Sequence, residues 1–265
     1  MIISSLSFVW VNNMIFNTHS HINDKDINEA NELVNICLQD NVDKIAVVGY
    51  DYASSLRALN LAKANEHVYA ICGLQPGGVD EFDGDFSKFV ELFNDDKCIA
   101  IGEIGLDYYY GKENKDLQIK YFEEQLKIAC NYKKPIQIHC REAHEDTFNL
   151  LNKYHKQLDG IILHCYTGSV EMMERYLKLG AYISITGVVT FKNAKTIKEV
   201  VEHCPIERLV VETDDPYLTP VPFRGKENQP SYVKYVVKEI ANIKQMDESE
   251  VAKITYENAM KVFHL

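Results

Sequence analysis

The sequence predicts an α/β fold of the TIM, or (β/α)8, barrel class. Three observations point there. Eight short apolar runs recur along the chain, most of them rich in Ile and Val with little polar alternation. Strands buried on both faces read this way. Segments with helical spacing lie between the runs, so strand and helix alternate from end to end. Five of the runs finish on residues of metal-ligand type: Phe16-Asn17-Thr18-His19-Ser20-His21, Ala100-Ile101-Gly102-Glu103, Ile136-Gln137-Ile138-His139, Ile161-Ile162-Leu163-His164 and Leu209-Val210-Val211-Glu212-Thr213-Asp214. In a barrel such strand ends meet at one mouth, however far apart they lie in sequence.

In order, the runs are Ile15–His19, Lys44–Val48, Val68–Gly73, Cys98–Glu103, Ile136–His139, Gly160–His164, Ala181–Thr186 and Arg208–Glu212. The first opens just after Met14. Residues 14–265 are therefore assigned to one barrel domain, and residues 1–13 to an N-terminal extension outside its core. Between the fourth and fifth runs, the segment Asn114–Lys133 places Ile119, Phe122, Leu126 and Ala129 on one helical face. After the sixth, Ser169 caps a helix through Leu179, and Gly180 stops it. Near the end, Asp247-Glu248-Ser249-Glu250 reads as a capping box opening a final helix. A doubly wound open sheet is the alternative. It would carry a Gly-rich phosphate turn after its first strand, where this chain has His19-Ser20-His21.

Composition narrows the function. The 265 residues suit one barrel, and 46 % hydrophobic content supports a sizeable core. Lys and Arg number 28 against 39 Asp and Glu, a net charge of −11. Such a field repels polyanions at long range and argues against a non-specific nucleic-acid coat protein. The seven cysteines are scattered and form no CxxC, which suits free thiols in a reducing, cytoplasmic setting. No apolar stretch is long enough for a bilayer, and the first residues lack the basic region of a signal peptide. Neither a membrane nor an obligate protein partner is expected.

The strand ends carry the chemistry. His19 and His21, two apart on extended chain, point to the same side and can grip one ion. Glu103 can offer one oxygen to each of two ions. His139 and His164 each close an apolar stretch, and Asp214 follows the last one. Alone, each has an ordinary structural explanation: a core histidine, a buried ion pair, a turn before Pro216. Together they imply a working site of four His and two carboxylates. We expect His19, His21, Glu103 and Asp214 around one ion and Glu103, His139 and His164 around a second, roughly 3.5–4 Å away. This donor set suits Zn, Mn, Fe or Co, whereas Mg would favour more oxygen ligands.

At these residues the chain resembles the TatD family of metal-dependent deoxyribonucleases, a branch near the amidohydrolases. The matching motifs are Thr18-His19-Ser20-His21, Gly102-Glu103-Ile104-Gly105-Leu106-Asp107-Tyr108-Tyr109, His139-Cys140-Arg141-Glu142-Ala143, His164-Cys165-Tyr166-Thr167-Gly168, Glu212-Thr213-Asp214-Asp215-Pro216-Tyr217-Leu218 and Arg224-Gly225-Lys226-Glu227-Asn228-Gln229-Pro230. They run in the family's order from about residue 15 to the C-terminus. The resemblance implies a TIM barrel, two divalent ions on His19, His21, Glu103, His139, His164 and Asp214, and DNA or a short oligonucleotide as substrate. It implies hydrolysis by a metal-activated water, with Asp214 as proton acceptor. Arg224 would clamp a substrate phosphate, with Arg141 and Lys226 as weaker candidates. Tyr108 and Tyr109 could stack on a base. Four positions depart from the family pattern: Asn17 stands where an Asp is usual, Gln75 and Gly77 where imidazoles are usual, and Gln229 where a Glu is usual. None removes a ligand. The rival readings are a related binuclear hydrolase acting on a cyclic amide, lactone or aminoacyl ester, a metal-stabilised scaffold, and a nucleic-acid binder without catalysis.

Overall fold

A computed structural model describes residues 13–265. The extension expected over residues 1–13 lies, apart from Asn13, outside the described residues. Eight parallel strands close into a barrel in sequence order: β1 (Ile15–Ser20), β2 (Val42–Val48), β3 (Val68–Cys72), β4 (Cys98–Asp107), β5 (Ile136–Arg141), β6 (Ile161–Leu163), β7 (Tyr182–Ile185) and β8 (Leu209–Val211). Each pairs with the next, and Asn17 of β1 pairs with Val211 of β8 to complete the circle. The helices α1 (Ile27–Gln39), α2 (Tyr52–Ala64), α3 (Ser87–Phe93), α4 (Lys115–Tyr132), α5 (His144–Tyr154), α6 (Val170–Lys178), α7 (Lys195–His203), α8 (Val233–Lys244) and α9 (Glu248–Phe263) connect and cover them. The predicted TIM barrel is the observed fold, and the open sheet is excluded by its closure.

Alternation along the strands divides the core in two. Ile45 and Val47 join the helices' apolar faces, while Ala46 and Val48 join Phe16, Ile71, Ala100, Ile162, Tyr182 and Val210 inside the barrel. Phe263 of α9 packs on Phe16 with ring centres 5.5 Å apart. Asn258 of α9 also donates to the carbonyls of Ile206, in the turn before β8, and Leu209, the first residue of β8. The last helix thus seals the N-terminal end of the barrel, and the C-terminal strand ends are left as the mouth.

Two polar residues on the buried face of α4 hold the mouth loops. Gln118 accepts from the Asp107 amide and donates to the carbonyls of Asp107 and Gly111. Gln125 makes the same two-sided bond to Leu74. Phe122, Leu126 and Ala129 are buried beside them, as the helical spacing predicts, with Ile119 only partly covered.

Ser169 caps α6 through the Met172 amide, and Gly180 follows the helix at φ +85°, both as expected. The capping box at Asp247 does not form. The Asp247 side chain makes no cap bond, and its backbone carbonyl accepts from Glu250 and Val251 instead. That turn is exposed, so water can serve its free amides.

The clearest departure from the expected boundaries is β4, which runs on from Glu103 to Asp107. Beyond Glu103 it stays paired with β5, Gly105 opposite His139 and Asp107 opposite Arg141. Gly105 permits this. Its φ is +145°, and a Cβ there would stand 1.9 Å from the His139 carbonyl oxygen. Among the described residues no helix is long and apolar enough to cross a membrane.

Candidate metal centre

Side chains from the ends of β1, β4, β5, β6 and β8 meet at the mouth. His19 Nε2 and His21 Nε2 are 3.0 Å apart, and each lies 3.6 Å from Asp214 Oδ1. Their other ring nitrogens are occupied. His21 Nδ1 lies 3.0 Å from the Val48 carbonyl, and His19 Nδ1 lies 2.8 Å from Gln137 Oε1. The Gln137 amide is itself oriented, because its Nε2 donates to the Thr18 carbonyl. Both outer partners accept, so in the neutral rings each Nδ1 carries the hydrogen and each Nε2 lone pair faces the shared space. Two such lone pairs at this distance repel unless a proton or cation lies between them.

The second half forms around Glu103. His164 Nε2 is 3.8 Å from Glu103 Oε1, and the His164 ring stacks on His19 with centres 3.7 Å apart. His164 Nδ1 lies 2.7 Å from Glu212 Oε1, but off the ring N–H direction, so this contact is electrostatic rather than a formed hydrogen bond. Glu212 is fully buried and fixed by the Cys165 amide and the Ser184 hydroxyl. Three groups of mutually close ligand atoms result: His19 with His21 and Asp214, His19 with Glu103 and His164, and His164 with Cys165 and Asp214. Imidazole and carboxylate donors converging this way fit a divalent transition metal.

His139 stands differently from the expected arrangement. Its Nδ1 is 2.5 Å from Glu103 Oε1 and its Nε2 is 3.0 Å from Asp107 Oδ2, so both nitrogens face carboxylates. It touches Glu103 but belongs to none of the three close groups.

The site's charges are strongly coupled. Burial opposes charge on His139, yet Glu103 and Asp107 raise its pKa to about 10. Burial likewise opposes charge on His21, and Asp214 lifts it to about 9. His19 is driven well below its ordinary value by burial and by the neighbouring His164 and His21. Burial would raise Glu103, but His139, His164 and His19 hold it well below the usual carboxylate range. This field is complementary to cations. Its carboxylates hold positive charge on His21 and His139, while His19 stays neutral and the central carboxylate stays ionised.

A cavity of about 650 Å³ opens over these groups, lined by Glu103, His139, His164 and Asp214 together with Asp107, Tyr110, Arg141, Cys165 and Tyr217. The Asp214 and His139 side chains are 17 % and 22 % exposed, against 0–6 % for His19, His164 and Glu103. Asp214 and His139 are therefore the groups best open to an incoming molecule. Asp214 sits at φ +55°, and its amide donates a hydrogen bond to the His19 carbonyl.

The expected phosphate contacts divide. Arg141 lines the cavity. Arg224 does not; its guanidinium lies 3.8 Å from the centre of the Phe191 ring. Lys226 sits near Phe223. Tyr108 does not line the cavity; its hydroxyl donates to Asp146, and Lys115 lies over its ring at 4.9 Å. Asn17 accepts from the Thr213 amide and donates to its hydroxyl, which in turn donates to Asp215. A carboxylate at position 17 could not donate to that hydroxyl, so Asn suits this local network.

Four contributors were missed from sequence: Asp107, Gln137, Cys165 and Glu212. Gln137 was the most visible, a polar residue inside a run of isoleucines.

The sequence pattern of the family described as TatD related DNase matches residues 16–264. The chain belongs to the TatD family. It is 42 % identical over 254 residues to a Bacillus subtilis protein named as an uncharacterized metal-dependent hydrolase, YabD, covering 95 % of this chain and all of that one. It is 32 % identical to the 3'-5' ssDNA/RNA exonuclease TatD of Pectobacterium parmentieri, over 86 % of this chain and 90 % of that one. The crystal structure of YjjV, a TatD homologue from Escherichia coli, superposes with a TM-score of 0.89 at 25 % identity, covering 97 % of this chain and 99 % of that one. This TatD-family protein is a metal-dependent hydrolase.

Proposed function

We propose that this TatD-family hydrolase cleaves phosphodiester bonds in DNA or short oligonucleotides. The observation that carries the reading is Arg141 in the same cavity as the two donor groups that share His19. His19, His21 and Asp214 would hold one divalent ion. Glu103 and His164, with His139 turned toward Glu103, would hold a second. What ions held there would supply is Lewis acidity toward phosphoryl oxygens and toward water. Asp214 Oδ1, partly open to the cavity, is placed to take a proton from the attacking water. Glu103 keeps its negative charge in a ring of histidines and so stays a donor rather than an acid. Arg141 offers a planar fork to the phosphate that remains. Kinship with a relative named as a single-strand exonuclease supports the same substrate class.

An end-labelled oligonucleotide assayed with Mn²⁺ and with Mg²⁺, beside a hydantoin, a lactone and an aminoacyl ester, tests the reading. Metal-dependent shortening of the oligonucleotide alone is expected. Turnover of an amide, lactone or aminoacyl ester without any cleavage of the oligonucleotide would transfer the chain to another hydrolase class.

A further inference from the structure

We propose that the rims of the mouth form a clamp for unpaired nucleobases, with Tyr110 and Arg141 on one side and Tyr217 on the other. The clamp rests on the phosphodiesterase reading above. Tyr110 is 73 % exposed and Tyr217 66 %. Both line the cavity that holds Glu103 and Asp214. Large aromatic surfaces left in water at a cavity edge do not stabilise the fold, and they mark a binding surface.

Both rings are mounted on backbone tied to the centre. The Tyr110 amide donates to Asp107 Oδ1, and the other oxygen of that carboxylate meets His139. The Tyr217 amide donates to the Asp214 carbonyl, and the Tyr217 carbonyl accepts from Asn228. Tyr109 stands edge-on to Tyr110 at 4.7 Å, and the Arg141 guanidinium lies 4.1 Å from the Tyr109 ring centre and 4.7 Å from that of Tyr110. The Tyr110 side is thus an aromatic and guanidinium platform rather than a loose side chain.

Charge decides what such a platform can hold. The chain carries −11, which includes the cavity's three carboxylates, Glu103, Asp107 and Asp214; ions held at the centre would offset these locally but leave the surrounding field negative. Arg141 is the one Lys or Arg among the described residues lining it. Long-range attraction for a polyanion is therefore weak, and affinity must come from contact. Stacking supplies it, and it tolerates any sequence because every base has a π-face. A base inside a duplex already has both faces covered. The ligand class is accordingly a single-stranded oligonucleotide, gripped by the bases that flank the phosphate at the metal centre.

The test compares wild type with Tyr110→Ala, Tyr217→Ala and the double variant on two substrates. One is a single-stranded oligodeoxynucleotide; the other is the same oligomer carrying abasic residues beside the cleaved bond. For the normal oligomer KM should rise roughly 5- to 100-fold per ring removed, the range expected for losing one stacked base. Its kcat should stay within about twofold, because the rings bind without touching the reacting atoms. The abasic oligomer should be cleaved equally by all four proteins. Tyr110→Phe should restore wild-type KM, since stacking needs the ring and not the hydroxyl. A 2-aminopurine placed at the flanking position should be quenched on binding to wild type and not to the double variant. Wild-type KM in the double variant, or equal losses on both oligomers, would overturn the clamp. If wild type cuts neither oligomer with any metal, the phosphodiesterase reading itself falls, which is a separate result.

Discussion

Gln137 never reaches the cavity, yet it fixes which nitrogen of His19 faces the centre. Its carbonyl oxygen takes the His19 Nδ1 side and its amide is pinned by Thr18. Replacing it with Leu should weaken divalent-metal affinity by roughly 10- to 100-fold, as loss of such an outer partner does. Calorimetric titration with Mn²⁺ reads this directly, and unchanged affinity would show that Gln137 only packs. Glu103→Ala should lower hydrolysis by roughly a thousandfold or more while the circular dichroism stays native, since the change removes the carboxylate shared by the histidines. Wild-type turnover in that variant would remove Glu103 from the reaction. At this scale the sequence was informative about residues that end strands. His19, His21, Glu103, His164 and Asp214 announce themselves by closing apolar runs, and the structure brings them together. Asp107 and Glu212 stayed hidden because their roles depend on the orientation of a neighbouring ring. Arg224 stands outside the cavity lining for the opposite reason. Its motif is distinctive, but a loop residue's direction is set by what it packs on, here Phe191.

Among the elements, the extension of β4 past Glu103 matters most. Without it Asp107 would not face His139, and the Tyr109–Tyr110 pair would not stand beside Arg141. The extension depends on Gly105, where a side chain would strike the β5 backbone. Gly105→Ala should cost about 2–4 kcal/mol, combining a disfavoured φ with a backbone clash. Gly180→Ala offers a control, because it shares the positive φ but has open space around it. That change should cost only about 1 kcal/mol. Urea denaturation of both variants checks the contrast, and equal losses would remove the close approach as the cause. Strand existence was legible from apolar runs, but this boundary was not. Two glycines and a buried carboxylate resemble a strand's end when read without the neighbouring strand that accepts them.

For the whole molecule, acid sensitivity has an identifiable source away from the centre. His144 is half-buried between Tyr166 and Tyr176, and burial lowers its pKa from the ordinary 6.5. A group depressed in the folded state contributes stability that is complete above its unfolded value and is lost as pH falls below it. Stability should therefore decline as pH drops below 6.5. His144→Gln should flatten that decline relative to wild type in urea midpoints taken from about pH 8 to about pH 5. Parallel curves for the two proteins would clear His144.

The seal at the foot of the barrel has a further consequence, for synthesis on the ribosome. Phe16 belongs to β1, and its cover, Phe263, belongs to α9, which follows all eight strands in the chain. Until α9 has left the exit tunnel, the lumen faces water through an open base. A nascent chain stalled before Glu248 would therefore present a greasy well to any chaperone nearby, however complete its eight strands had become.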